Sequence, residues 1–164
     1  MPAGATYEPI ATTSPNGVNS YSFTSIPGTY TDLRLVIVGV TNTNASINIQ
    51  FNSSALNYSQ TDIAGNGTAA SSARATNDDR WYLSGVVAEG VTSTPAFYSV
   101  DIFSYAGSTN KTGLLVGSND KNGSGRVLRA VGLWRDTSAI TSITVFTTGT
   151  VTGTTATLYG IKSA

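Results

Sequence analysis

Glycoside hydrolysis is the reaction that needs the fewest special residues, because two suitably placed carboxylates suffice for it. The 164-residue sequence has only nine acidic and nine basic side chains. Glu8, Asp62, Glu89 and Asp101 are the candidates for a catalytic pair. None of them lies in a recognisable motif, and an ion pair or a role in solubility explains each carboxylate more simply than catalysis does. We therefore favour structural roles for these four residues.

Three further carboxylates lie beside Asn or Gly, in segments typical of turns. Asp78, Asp79 and Asp120 could offer oxygen ligands to calcium, which accepts carboxylates and carbonyls from flexible loops. Neither segment has the alternating carboxylates of a calcium loop. We expect solvated turns there, with no bound metal and no cofactor.

Arginines cluster in sequence around one tryptophan. Arg126, Arg129 and Arg135 lie close to Trp134, and an Arg with aromatic neighbours can bind phosphate, stack on a base or anchor a protein interface. The formal net charge is zero, and no aromatic residues are interleaved with a basic run. The sequence favours an interface or strand-edge role and predicts no nucleic-acid partner.

Two residue types that carry much of enzyme chemistry are missing. The chain contains no Cys, which excludes disulfides, thiolate metal sites and a cysteine nucleophile. It also contains no His, the commonest general base. The sequence therefore predicts a protein that is not an enzyme.

The sequence gives no signal for a membrane. Residues 1–14 lack a basic start followed by an apolar run, and no segment approaches the roughly 20 apolar residues that a spanning helix needs. We expect no membrane partner, and synthesis and assembly in a bacterial cytoplasm.

The surrounding elements are predicted to be β-strands. Ser, Thr, Asn and Gly dominate the polar residues, and short apolar runs alternate with turn residues. This pattern predicts a single all-β domain over residues 1–164, with about ten strands in a two-sheet jelly-roll-like sandwich and an immunoglobulin-like sandwich as the alternative. The predicted strands are Tyr7 to Thr13, Ser20 to Ser25, Leu33 to Val40, Ala45 to Phe51, Tyr58 to Ile63, Arg80 to Val87, Phe97 to Tyr105, Thr112 to Gly117, Arg126 to Arg135, Ile140 to Thr147 and Thr154 to Ile161.

Some segments depart from a simple strand pattern. Leu33 to Val38 is almost continuously apolar, which fits a strand with both faces covered or an outer face that meets another subunit. Thr68 to Asp79 lacks a sustained period and is predicted to be a surface loop. Asp101 stands out in an otherwise apolar strand.

The N-terminal segment is a candidate arm. Pro in a terminal segment disfavours pairing within the chain's own sheet. Residues 1–14 could therefore extend onto a neighbouring molecule, with Tyr7, Pro9 and Ile10 making the contact. An ordinary edge strand is the alternative.

Several segments resemble small virion structural proteins of tailed bacteriophages, and the likeness extends over almost the whole chain. They are Thr6 to Thr12, Ser25 to Leu33, Asn57 to Ser59, Gly132 to Arg135, Ala139 to Thr144 and Leu158 to Lys162. Similar domains occur as capsid decoration (cement) proteins and at the ends of tail or fibre proteins, commonly as trimers.

This resemblance implies a place on the virion. The expected function is a non-enzymatic cement protein on the capsid surface, which binds the major capsid protein and itself as a homotrimer. The alternative is a tail or fibre module that recognises the host surface. The lone domain favours the cement protein, because no coiled-coil or collagen-like stem is present to support a fibre tip.

Overall fold

The computed structural model describes residues 6–42, 45–85 and 94–162. These residues form antiparallel strands and a single 3-10 turn at Lys121–Gly123, which confirms the all-β prediction. The strands are β1 (Tyr7–Thr13), β2 (Val18–Phe23), β3 (Asp32–Thr41), β4 (Ile47–Phe51), β5 (Tyr58–Gly65), β6 (Ala70–Asp78), β7 (Trp81–Tyr82), β8 (Ala96–Phe103), β9 (Lys111–Asn119), β10 (Arg126–Trp134) and β11 (Ile143–Ile161).

Strand β11 pairs with four other strands of the sheet. Its first part, residues 143–147, pairs with β4 on one edge and with β2 on the other. Its second part, residues 151–161, pairs with β1 and β3. The register shifts between the two parts, as happens where a bulge bends a strand and turns it from one layer to another.

The sheet nearly closes on itself. Its eleven strands form one hydrogen-bonded sheet in the order β6-β5-β10-β9-β8-β3-β11-β4-β7, with β1 and β2 also attached to β11. The side-chain amide of Gln60 on β5 then reaches the backbone of Tyr82 on β7: it donates to the carbonyl at 3.0 Å and accepts from the N–H at 2.9 Å. The result resembles a barrel, and the two-sheet jelly roll is not confirmed.

The core fills the space inside this curved sheet. Alternate residues of each strand point inward, and they include Tyr58, Trp81 and Trp134, which are almost fully buried. Trp81 lies against the backbone of β9 and β10, where Gly113 pairs with Gly132. A Cβ at Gly132 would lie 2.4 Å from Cε2 of Trp81. Only glycine leaves room for the indole there.

Four predicted elements differ from the structure in type or extent. Residues 70–78 form strand β6 rather than a loop, because they pair along β5 even though their small side chains give no periodic signal. The strand predicted from Arg80 to Val87 is only β7, while residues 86–87 lie outside the described residues. The two strands predicted at the C-terminus are the single strand β11.

Residues 7–13 of the candidate N-terminal arm form strand β1 along β11, as in the edge-strand alternative. Pro9 lies opposite Tyr159, and a register shift follows between Pro9 and Ala11. A proline without an N–H is tolerated at this position because β1 is at the edge of the sheet. Residues 1–5 of the predicted arm lie outside the described residues.

Replacing Gln60 should weaken the closure of the barrel. Gln60→Leu keeps the volume but removes the acceptor of the Tyr82 N–H, and it leaves the Tyr82 carbonyl with only the N–H of Gly85, at 3.2 Å. We expect the free energy of unfolding to fall by about 1–3 kcal/mol in urea titrations. Thr61→Val, on the exposed face of the same strand, is the control and should change it by less than about 0.5 kcal/mol. Equal effects would contradict a closing role for Gln60.

Buried tyrosines should make the fold sensitive to high pH. Burial raises the pKa of Tyr21 and Tyr58, and it raises the pKa of Tyr98 to about 12. The unfolded chain therefore loses these protons first, near pH 10, so stability present below about pH 10 declines above it.

Urea unfolding at about pH 8 and about pH 11 measures this decline, which approaches 1.4 kcal/mol per pH unit for each such tyrosine. Tyr98→Phe should make the loss of stability shallower. A slope unchanged by Tyr98→Phe would show that this phenol does not contribute.

Candidate functional site

An exposed apolar surface lies on the outer face of strands β5, β6, β8, β9 and β10. We call the outward side chains of β5, β6, β8, β9 and β10 the outer patch. The alternation that buries one face of each strand leaves large apolar side chains on the other face. Those most exposed are Ile63 (62%), Val127 (63%), Val131 (51%), Leu114 (44%) and Phe97 (40%).

Strand register places these residues beside one another. Val131 lies opposite Leu114 on β9 and Thr61 on β5. Val127 lies between Gly65, which has no side chain, and Ser118, whose side chain is small. A hollow therefore lies on either side of Val127. Residues far apart in sequence thus form one continuous surface.

The outer patch is large enough to act as an interaction surface. Four strands about 4.8 Å apart and three outward positions about 6.7 Å apart cover roughly 400 Å². Exposed apolar patches of this size on a monomer are often functional. The patch contains a groove of about 420 Å³ lined by Ile63, Val116, Val127 and Arg129, and a hollow of about 240 Å³ lined by Arg74 and Val131.

Apart from Asp101 on β8, which is paired with Arg34, the charge within the outer patch has one sign. Arg129 points outward from β10 opposite Ile63, and Arg74 points outward from β6 opposite Thr61. Neither guanidinium makes a hydrogen bond or an ion pair within the described ranges. The residues that face outward on β5, β6, β9 and β10 include no Asp or Glu. The patch is therefore apolar with two available cations.

A polar group lies at the β8 side of the same sheet face. Arg34 donates to both oxygens of Asp101, at 2.6 and 2.7 Å, and its guanidinium lies 5.5 Å from the ring centre of Tyr7. This pairing explains the carboxylate in an otherwise apolar strand, and the hydrogen bond to Asp101 raises the pKa of Arg34. Tyr7 also packs edge-on against Tyr159.

The predicted contact residues divide between surface and core. Tyr7 and Pro9 are exposed, whereas Ile10 packs against the buried core. Ile10 is therefore only partly exposed. Contact with a capsid stays a prediction for all three residues.

The carboxylates proposed for glycoside hydrolysis occupy different environments. Glu8 accepts from Lys162 at 2.6 Å, Asp62 is buried inside the sheet, and Asp101 is paired with Arg34 on the outer face. Glu8 and Asp101 are three strands apart, about 14 Å at the backbone, which exceeds the separation of a catalytic pair. Glu89 lies outside the described residues.

The predicted calcium carboxylates hold turns and side chains in place. Asp78 accepts from the hydroxyl of Tyr82 at 3.0 Å, and Asp120 accepts from the N–H of Gly123 at 3.0 Å. Asp79 forms an ion pair with Arg80, whose hydrogen bonds lower the pKa of that carboxyl. Within residues 6–42, 45–85 and 94–162, no group of three or more metal-ligating acidic, His or Cys residues occurs.

The predicted arginine cluster is wrong. Successive residues of β10 point to opposite faces, so Arg126 is buried while Arg129 is exposed. Arg135 donates to Asn77 at 2.7 Å, and Trp134 stacks on Tyr58 in the core. Of this group, Arg129 faces the outer patch.

Comparisons with protein-family models, curated proteins and solved structures find no match to the chain. The similarity to phage virion proteins therefore stays a prediction. The described part of the chain contains no helix long and apolar enough to cross a membrane.

Sequence reasoning did not locate the outer patch. Its signal was present in β10 and β9, where Val127, Val131 and Leu114 add apolar residues to the face opposite the buried one. That excess could be read from the sequence once the strands were known. The sequence does not show which strands lie beside β9 and β10 and complete the patch, because strand order follows from tertiary pairing.

The apolar side chains of the outer patch should contribute little to folding. Val127→Thr keeps the β-branched shape and should change the free energy of unfolding by less than about 0.5 kcal/mol. Leu128→Ala, one residue along and buried, should lower it by about 2–5 kcal/mol. Urea denaturation of both variants measures the difference. A large loss from Val127→Thr would show that this surface is covered within the fold.

Proposed function

We propose that the protein is a non-enzymatic capsid decoration (cement) protein of a tailed bacteriophage, which attaches to the head shell through its outer patch. The observation that carries this proposal is the exposed apolar surface of Ile63, Val127, Val131 and Leu114, which the described residues leave uncovered. Protein interfaces have such apolar centres, with Arg enriched and acidic residues depleted. The resemblance to virion proteins supplies the choice of partner, the major capsid protein.

The proposed mechanism requires binding but no reaction. A protein that binds only the expanded shell lowers the free energy of that state by an amount set by its affinity and concentration. Copies bound across neighbouring capsid subunits would thereby help the shell to resist the pressure of packaged DNA. The rigid, extensively hydrogen-bonded sheet suits this role, because a preorganised surface loses little entropy on binding.

Homotrimer formation and a capsid-surface location belong to the same proposal. A trimer would present three outer patches to a locally symmetric shell. The jelly-roll description also stays a prediction from the sequence, since the pairing of the strands supports a barrel-like sheet more directly.

A tail or fibre module that binds the host surface is the second candidate. The group of Tyr7, Tyr159, Arg34 and Asp101 favours it, because aromatic faces beside a planar polar pair suit a glycan or a protein anchor. The segment Thr68 to Asp79, predicted to be a surface loop, is largely strand β6.

Electron cryo-microscopy of intact virions tests the proposed location, with copies counted per particle. We expect many copies over the head shell. A few copies at the tail would favour the host-binding module, and absence from the virion would refute both structural candidates.

Variants of the outer patch test the proposed contact. Ile63→Thr combined with Val127→Thr should reduce occupancy of the shell by roughly tenfold or more, because apolar area at an interface is lost. Leu56→Thr is the matched control: Leu56 is 69% exposed in the turn between β4 and β5, away from the patch. Normal occupancy for the double variant would exclude the outer patch as the attachment surface.

A further inference from the structure

Arg129 lies within the apolar centre of the outer patch, between Val127 and Val131 on β10, and Arg74 lies beyond Ile63 and Thr61, on β6. Arg129 lines the groove beside Ile63 and Val127, and Arg74 lines the adjacent hollow beside Val131. The two residues lie two strands apart and one outward position apart along the strands. Their Cα atoms are therefore about 12 Å apart.

A surface that covers this patch must supply negative charge. Covering the apolar centre removes water from the two guanidinium groups, and a cation that loses water without gaining a counter-charge weakens binding. No carboxylate faces outward on β5, β6, β9 or β10 to compensate. The nearest acidic residue on β8, Asp101, is already paired with Arg34.

A second copy of the chain is a poor source of this charge. A symmetric contact between two outer patches would bring cations together, since such a contact places the same surface on both sides. Carboxylates elsewhere on the described surface are largely occupied by their own chain. Glu8 binds Lys162, Asp79 binds Arg80, and Asp32, Asp120 and Asp136 accept from the backbone N–H groups of Ser104, Gly123 and Ser138.

We propose that the outer patch docks a different protein, one that presents two carboxylates roughly 12 Å apart on either side of an apolar side chain. This inference rests on the proposed function and specifies the chemistry of the partner surface. It also assigns self-association of the chain to another face.

A short peptide provides a probe that does not depend on the identity of the partner. An extended heptapeptide with Glu at its second and sixth positions, Val at the fourth and Thr elsewhere separates its two carboxylates by about 13 Å on one face. Titration into the isotope-labelled full-length chain should shift the amide NMR signals of Ile63, Val116 and Arg129. The same peptide with Lys in place of Glu should bind at least roughly tenfold more weakly.

Charge variants of the protein complete the test. Arg129→Glu should weaken binding of the Glu peptide by roughly tenfold or more, and Arg129→Lys should weaken it less, because Lys keeps the charge but not the planar fork. Asn19→Glu combined with Ser20→Glu changes the net charge by the same amount on exposed positions of β2, and it should leave peptide binding unchanged. Sedimentation should give the same oligomeric state for all variants.

Several outcomes would overturn the inference. They are the absence of shifts at millimolar peptide, shifts centred on another surface, equal binding of the Glu and Lys peptides, and loss of self-association in Arg129→Glu. Tighter binding of a DNA duplex than of the Glu peptide would identify the patch as a nucleic-acid surface instead. A salt titration of that binding would count the phosphate contacts.

The inference and the proposed function can fail separately. Peptide binding without any copies on the virion would leave an acidic protein partner in place and remove the capsid role. Conversely, normal occupancy of the shell by Arg129→Glu, together with no peptide binding, would keep the decoration protein and refute this docking surface.

Discussion

The continuous hydrogen bonding of β11 is the constraint on which the rest of the structure depends. Its first part holds β2 and β4, its second part holds β1 and β3, and the bend between them turns the sheet back on itself. Because a strand has only two edges, four neighbours require this division into two parts. Backbone hydrogen bonds of β11 therefore hold the strands paired with its first part to those paired with its second part. The same strand encloses the core between them.

The enclosed core uses most of the aromatic and many of the polar residues of the chain. Trp81 and Trp134 are buried, and the ammonium of Lys111 donates to the carbonyls of Gly107 and Thr109 inside the fold. Several carboxylates are likewise held by internal ion pairs and turns. What these internal contacts leave exposed is an apolar sheet face with Arg129 and Arg74, a composition like that of protein interfaces.

Individual residues show where sequence reasoning succeeded and where it failed. The strand predicted from Phe97 to Tyr105 is confirmed as β8, in which Tyr98, Val100 and Ile102 are buried. Strand β6 escaped detection because Ala, Ser and Asn have weak strand preference, and its pairing with β5 overrides that preference. The arginines near Trp134 appeared to form a cluster, but alternation along β10 places Arg126 inside the sheet and Arg129 outside it.

The sequence by itself determined the class of the protein: strands with alternating burial, no thiol and no imidazole, and no net charge. These properties are local or compositional, so they need no knowledge of which segments meet. Tertiary structure alone decided that Ile63, Leu114, Val127 and Val131 share one surface, that Arg129 lies among them and that Arg74 lies two strands from Arg129. The physical reason is that antiparallel pairing joins distant segments in a register set by the whole sheet, which no local pattern specifies.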